Sequence, residues 1–384
     1  MNQQGLQAVP SPQNKKPNKA KYYRGGYTAK KYGSRDRGDI DAIQMEFPKT
    51  MIMYVYYLLL CGIFLPGISG YSLAELSKIY NYIKYEPGDT NTNIIITVPH
   101  GGHLYPSTQI NGKRWSDRQQ YGCKRSGSEY CIWMHSCGGV IRRAEDCKAR
   151  TPNDLYTIRI ARDIADGIKA TTGFRPHVVY NMLKRSKLDA NRDIYEATFQ
   201  VPDAIIAYQF YNYFISQARS AITGRGLLLD IHGQAHKPER TELGYLISRN
   251  NLNNGRYSVE QTSIRSLGER WCGRDNTCFK DFIHGNRSLG YFMNQQGLGA
   301  VPSPQNKKRN MAKYFRGGYT VKNYGSRDGG DIDAIQMEFP QMFRKRWGTE
   351  SKNKVVRAII SFLNQNYQDE DLKGKIIIDS PGNI

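Results

Sequence analysis

Residues 226–236 read GLLLDIHGQAH, an apolar run that empties into Asp230, His232 and His236. Leu227, Leu228 and Leu229 have the character of a buried strand. In an open α/β sheet, chemistry gathers at the carboxyl ends of strands, so an aspartate and an imidazole delivered there could ligate a metal or move a proton. Taken alone, His232 reads first as a hydrogen-bonded core histidine. A second copy of the same construction changes that reading. Residues 94–102 are IIITVPHGG: a β-branched run, Pro99, His100 and two glycines. Two strands that each end in His-Gly could bring two imidazoles together. The most charged stretch is KRSKLDANRD, 184–193, which holds Arg185, Asp189, Asn191 and Arg192. Its plain alternative is a solvated surface charge cluster.

The elements that would position these residues follow in chain order. Residues 72–84 carry Leu73, Leu76, Ile79, Tyr80 and Ile83 at helical spacing, with Ser72 as cap. The strand at 94–98 and its HGG loop come next, then a loop-rich excursion over 107–150. The pattern Leu155, Ile158, Ile160, Ala161, Ile164 and Ile168 predicts a helix from Asn153 to Lys169, capped by Asn153 or Asp154 and ended by Gly173. A strand at 177–183 runs into the charged stretch. A long helix with Tyr208, Phe210, Tyr211, Phe214 and Ile215 precedes the His232 strand. Strand segments at 240–247 and 331–339 and a helix at 354–366 complete the pattern, with a polar stretch at 250–290 and a glycine-tyrosine turn region at 315–326. Strands alternating with helices predict an α/β domain with a largely parallel sheet.

The 384 residues suit one large domain or two small ones, and the net charge of +21 points to anionic partners. No zinc finger, RNP signature or basic heptad region is present, so nucleic acid is not the expected partner. Residues 51–70, MIMYVYYLLLCGIFLPGISG, read as a cleaved signal peptide, with a signal anchor as the alternative. Six cysteines follow it: Cys123, Cys131, Cys137, Cys147, Cys272 and Cys278. An even number behind a signal suits disulfides in a secreted protein with no membrane span after cleavage, and Cys272 and Cys278 could close a small loop. Residues 1–48 and 293–340 agree at 41 of 48 positions. Residues 1–50 therefore read as a duplicated tail fragment without its partner strands, disordered if made, and joined by gene fusion or by an error of gene prediction. Residues 71–384 read as the working domain.

His100 in VPHGG, Arg185 with Asp189-Ala190-Asn191-Arg192, Asp230-Ile231-His232-Gly233, and Glu338 in IQMEF occur in an order that carries a resemblance. From about residue 94 to 345 the chain resembles the N-formylglutamate amidohydrolase-like proteins. More distantly it resembles aspartoacylase, succinylglutamate desuccinylase and the zinc carboxypeptidases. LKRSKLDANR and LLLDIHG carry most of the specificity, and PHGG alone is weak. The resemblance implies a zinc-dependent amide hydrolase on a phosphorylase/hydrolase-like three-layer fold with a mainly parallel mixed sheet, acting on N-acylated acidic amino acids.

Catalytic zinc takes three protein ligands and leaves one position open. His100 and His232 would be two of them. Zinc carboxypeptidases place Glu three residues after the first His, and here that position is His103. The third ligand is then Asp154, because the N-formylglutamate family carries an acidic residue in that region, or alternatively His103. Asp154 also reads as a plain helix cap. Glu338 would be the general base, its alternative being a solvent-facing strand residue. Arg185 would polarise the scissile carbonyl, with Arg192, Asn191 and Asp189 holding a small anionic N-acyl substrate. Glu242 and His236 read as supports behind the ligands. The competing reading is a non-catalytic, secreted, basic binding protein on the same fold, favoured by the high charge and by the missing Glu at 103. Oligomeric state is not legible.

Overall fold

The computed structural model describes residues 71–118, 130–132, 141–143 and 149–367. The expectations for residues 1–50, for the 51–70 stretch and for Cys123, Cys137 and Cys147 lie outside the described residues.

Among the described residues nine strands form in chain order: β1 (Ile83–Glu86), β2 (Ile94–Val98), β3 (Tyr130–Ile132), β4 (Ile141–Arg143), β5 (His177–Asn181), β6 (Gly226–Gln234), β7 (Thr241–Gly244), β8 (Ala300–Val301) and β9 (Ile332–Pro340). Seven make one sheet in the order β1-β5-β2-β6-β9-β7-β8, and β3 pairs with β4 alone. β5, β2, β6 and β9 run parallel, while β1 and β7 join them antiparallel. The helices are α1 (Leu73–Tyr80), α2 (Thr157–Thr172), α3 (Ile194–Thr198), α4 (Pro202–Ala221), α5 (Arg249–Asn254), α6 (Arg265–Cys272), α7 (Asn276–His284), α8 (Leu289–Gln295), α9 (Tyr319–Tyr324), α10 (Gln341–Lys345) and α11 (Thr349–Tyr367). The α/β class with a mostly parallel sheet is the one the strand–helix alternation predicts.

Both faces of the parallel centre are covered, and every residue of β2 and β5 is buried. Ile94, Ile96 and Val98 enter one core with Ile160 and Ile164 of α2 and Val355, Val356 and Ile359 of α11. Alternation turns Ile95 and Thr97 to the other face, where α4 packs across β1, β2 and β5. Among the described residues no helix is long and apolar enough to cross a membrane.

Several elements differ from the sequence reading. The first helix stops at Tyr80 rather than 84, because Ile83–Glu86 pair with β5 as an edge strand. The second starts at Thr157 rather than Asn153. Tyr156 has φ 73°, which breaks the helix before it, and Leu155 is left exposed. The polar stretch after residue 248 holds four short helices, and a disulfide joins Cys272 to Cys278 between α6 and α7. The turn region at 315–326 contains α9.

Candidate metal centre

β6 continues well past β2. Its last paired residues, Asp230 to Gln234, run beside Gln336 to Pro340 of β9. His232 therefore lies inside a strand, not after it, yet it stands beyond the carboxyl end of β2, where the chain turns out as Pro99-His100-Gly101-Gly102. Gly102 is demanded by close approach: a Cβ there would sit 2.2 Å from the Met182 carbonyl carbon. The loop is tied down by Leu104 N–H donating to Met182 O, and His100 O accepts the Asp154 N–H. Asp154 is held in turn by the Thr157 hydroxyl on its carbonyl. The chain before α2 is thus pinned across the end of β2, and the Asp154 side chain faces the two imidazoles instead of capping the helix.

His100, Asp154 and His232 form a buried group that could hold a metal ion. The two Nδ1 atoms are 3.1 Å apart, and Asp154 Oδ2 is 3.3 Å from His100 Nδ1 and 3.1 Å from His232 Nδ1. The outer nitrogens are both committed. His100 Nε2–H donates to Asp189 Oδ1 at 2.6 Å, and His232 Nε2–H donates to Asp230 Oδ2 at 2.9 Å. A carboxylate can only accept, so each pairing puts the proton on Nε2 and turns a bare Nδ1 lone pair inward. Three acceptors converging in a buried space call for a cation between them. Tetrahedral ligands at the usual zinc distances stand about 3.3–3.4 Å from one another, close to the triangle observed. Imidazole nitrogen and carboxylate oxygen, each imidazole backed by a carboxylate, make a donor set suited to zinc.

The surrounding charges agree with a cation site. Burial alone would push Asp154 up, but in the metal-free protein the His100 and His232 rings, with a proton in the place of the cation, and the Arg185 charge hold it far below the usual carboxylate range. Burial and the Arg185 charge lower His100. Burial also acts to lower His232, yet Asp230 and Asp154 outweigh it and raise that imidazole to about 10. In the protein alone, one positive charge is thus kept inside the triangle by its carboxylates.

The remaining candidates divide into near and distant. Asp189 is fully buried and accepts Arg185 Nε–H at 2.8 Å as well as the His100 proton. Asn191 accepts the Thr320 N–H on Oδ1, and its Nδ2 lies 3.2 Å from His232 Nε2. Arg192 pairs with Glu196 at 3.2 Å. Glu338 is buried, not solvent-facing. Its Oε1 stands 3.9 Å from His232 Nδ1, and burial pushes its carboxyl up to about 8 against the pull of the His232 charge. Glu242 is paired with Glu338 in register, forms an ion pair with Arg309 at 2.8 Å and lies 2.9 Å from His236 Nδ1. His103 is exposed and stands outside the triad.

These groups line a cavity of about 280 Å³ whose floor is the triad and Glu338 and whose wall holds Arg185, Asn191 and Arg192. Its roof is Tyr314 to Gly318, and Arg150 and Gln336 complete it. Arg150 stacks on Phe315 with its guanidinium carbon 4.8 Å from the ring centre. The roof, Arg150 and Gln336 were not legible as site residues. A side chain at Gly318 would put a Cβ 2.4 Å from Asn191 Nδ2, and Gly317 has φ 111°, which explains the glycines of the FRGGY stretch. Gln336 did carry a signal: it lies two residues before Glu338 on one strand and so must share its face.

No family model matches the chain, and no curated protein does. Among solved structures it is similar to N-formylglutamate amidohydrolase from Ralstonia eutropha JMP134, with TM-score 0.36 and 12% identity over 74% of this chain and 97% of that one. It is also similar to a bacteriophage poly-gamma-glutamate hydrolase, with TM-score 0.34 and 11% identity over 74% of this chain and 90% of that one.

Proposed function

We propose that this chain is an exported, zinc-dependent amide hydrolase acting on a small anionic N-acyl substrate, such as an N-acylated acidic amino acid. One observation carries the reading: two inward Nδ1 lone pairs and a carboxylate converge, with the buried proton acceptor Glu338 beside them. When bound, zinc supplies Lewis acidity and makes water ionise near neutral pH. Glu338 takes the proton of the attacking water and returns it to the leaving nitrogen. Arg185 is anchored through Nε on Asp189, with Nη1 3.9 Å from Asp154 Oδ1, and its guanidinium lines the cavity. There it meets the developing negative charge on the scissile carbonyl oxygen. Arg192 and Asn191 hold the acidic end of the substrate, and Asp189 keeps both Arg185 and His100 in place. A cavity at the small end of the ligand-site range, about 300 Å³, suits a small molecule. The Cys272–Cys278 disulfide and the apolar stretch at 51–70 support export.

Elemental analysis of the purified protein tests this directly. The expected result is about one zinc per chain, lost in His232→Ala. Glu338→Gln should retain the zinc and lose turnover of N-acyl acidic amino acids by roughly 10²–10⁴-fold. Folded wild-type protein that takes up no added zinc overturns the reading. Zinc without turnover of any N-acyl amino acid returns the chain to the non-catalytic binding protein.

A further inference from the structure

We infer that Gln336 is a positioning residue: it fastens the Glu338 carboxylate and ties it to the roof of the cavity. The inference rests on the assignment of Glu338 as the base.

Gln336 and Glu338 are two apart on β9 and both buried. The Gln336 amide has its two ends used by different partners. Its Oε1 accepts the Gly318 N–H at 2.8 Å and lies 3.4 Å from Asn191 Nδ2. Its Nε2 donates to Glu338 Oε1 at 2.8 Å. A backbone N–H cannot accept, so Gly318 decides which way the amide points, and the NH₂ end must face the carboxylate. Glu338 is opposed on the neighbouring strand β7 by Glu242, a second buried carboxylate. Among the hydrogen bonds of the described residues, the Gln336 amide is the donor on Glu338. A base with one neutral donor keeps its remaining lone pairs for a proton, yet cannot swing away from His232. The same amide carries the position of Gly318, and with it the strip Tyr314–Gly318, to the base. Roof and base are therefore set by one side chain.

Two substitutions separate the roles. Gln336→Met keeps the volume and removes both hydrogen bonds. Gln336→Glu keeps an acceptor for Gly318 N–H and removes the donor to Glu338. Crystal structures of zinc-loaded wild-type, Gln336→Met and Gln336→Glu protein give the first readout. The expected result is a Glu338 carboxylate turned away from His232 in both variants, with zinc stoichiometry unchanged. Kinetics on an N-acyl acidic amino acid give the second: kcat falls roughly 10–100-fold in both, with KM within about twofold, a pattern that loss of roof packing alone does not produce. A Glu338 carboxylate in its wild-type place in both variants overturns the inference, whatever the activity. So does near-wild-type kcat in Gln336→Glu, which would make Gln336 an anchor for Gly318 only. If wild-type protein turns over no N-acyl amino acid, the functional reading fails, and the carboxylate position still decides the role of Gln336.

Discussion

Replacing Asp189 and Asp230 by asparagine should have unequal effects, although each aspartate supports one imidazole in the same way. Asp189 faces obligate donors on both oxygens. Oδ1 accepts His100 Nε2–H and Asn191 N–H, and Oδ2 accepts Arg185 Nε–H. An amide nitrogen in the Oδ2 place meets the arginine donor head-on. In the Oδ1 place it opposes the Asn191 N–H and makes His100 accept at Nε2, which drives the imidazole proton onto Nδ1, into the metal triangle. Asp230 has a reversible partner on its far side, the Thr97 hydroxyl at 2.7 Å. Asparagine there can turn its NH₂ to Thr97 and still accept from His232. Asp230→Asn should therefore only exchange a charged acceptor for a neutral one, worth about 1 kcal/mol or roughly fivefold in zinc affinity. Asp189→Asn should cost 10–100-fold in affinity, about 1.4–2.8 kcal/mol. It should also lower stability by about 3–5 kcal/mol, because buried Arg185 and Arg118 lose their shared carboxylate. Zinc competition against a chromophoric chelator, with thermal melts on the same samples, measures both. A loss in Asp230→Asn equal to or larger than that in Asp189→Asn would refute the tautomer argument.

Stripping the metal should lower the melting temperature. At free zinc about 1,000-fold above Kd the stabilisation lost is about 4 kcal/mol, and calorimetry with and without chelator should show recovery with zinc but not with magnesium, which takes oxygen ligands. A second pH-linked group lies away from the site. Burial raises Asp333 from 3.8 to about 6, although Ser326, Tyr367 and the Leu267 N–H pull it down. The native state therefore binds more protons than the unfolded chain between those values. This contribution to stability is full below 3.8 and is lost as pH rises through about 6. Asp333→Asn should flatten that window by about 3 kcal/mol, read from urea midpoints at several pH values; an unchanged slope would refute the assignment.

The strands that carry the chemistry were legible because burial on two faces leaves continuous apolar runs, as in IIITV before His100 and LLL before Asp230. Asp154 was harder. Its neighbours look like a helix start, and only the left-handed Tyr156 and the bond from Asp154 N–H to His100 O show that the carboxylate belongs to the site. His103 lay at a suggestive spacing from His100, but spacing along an irregular loop does not fix a direction, and the side chain is exposed. Glu338 was legible by resemblance and not by pattern, since alternation on a strand buried along its whole length no longer separates core from solvent. The roof escaped notice for a different reason: Tyr314–Gly318 is non-repetitive chain whose place is set by distant partners, Glu242 on the Phe315 N–H and Gln336 on the Gly318 N–H.

The sheet order has a bearing on how the protein is made. Among the described residues β9 is the last strand to be synthesised, yet it lies between β6 and β7 near the middle of the sheet. His100, Asp154 and His232 have all left the ribosome 106 residues before Glu338 does (338 − 232). Until β9 arrives, β6 presents an unpaired edge to solvent, the condition that invites pairing with another chain. Pairings that join distant parts of a sequence are also the slow ones to form. A chain that stops before Ile332 possesses all three candidate ligands but has neither the proposed base nor the strand that walls it in.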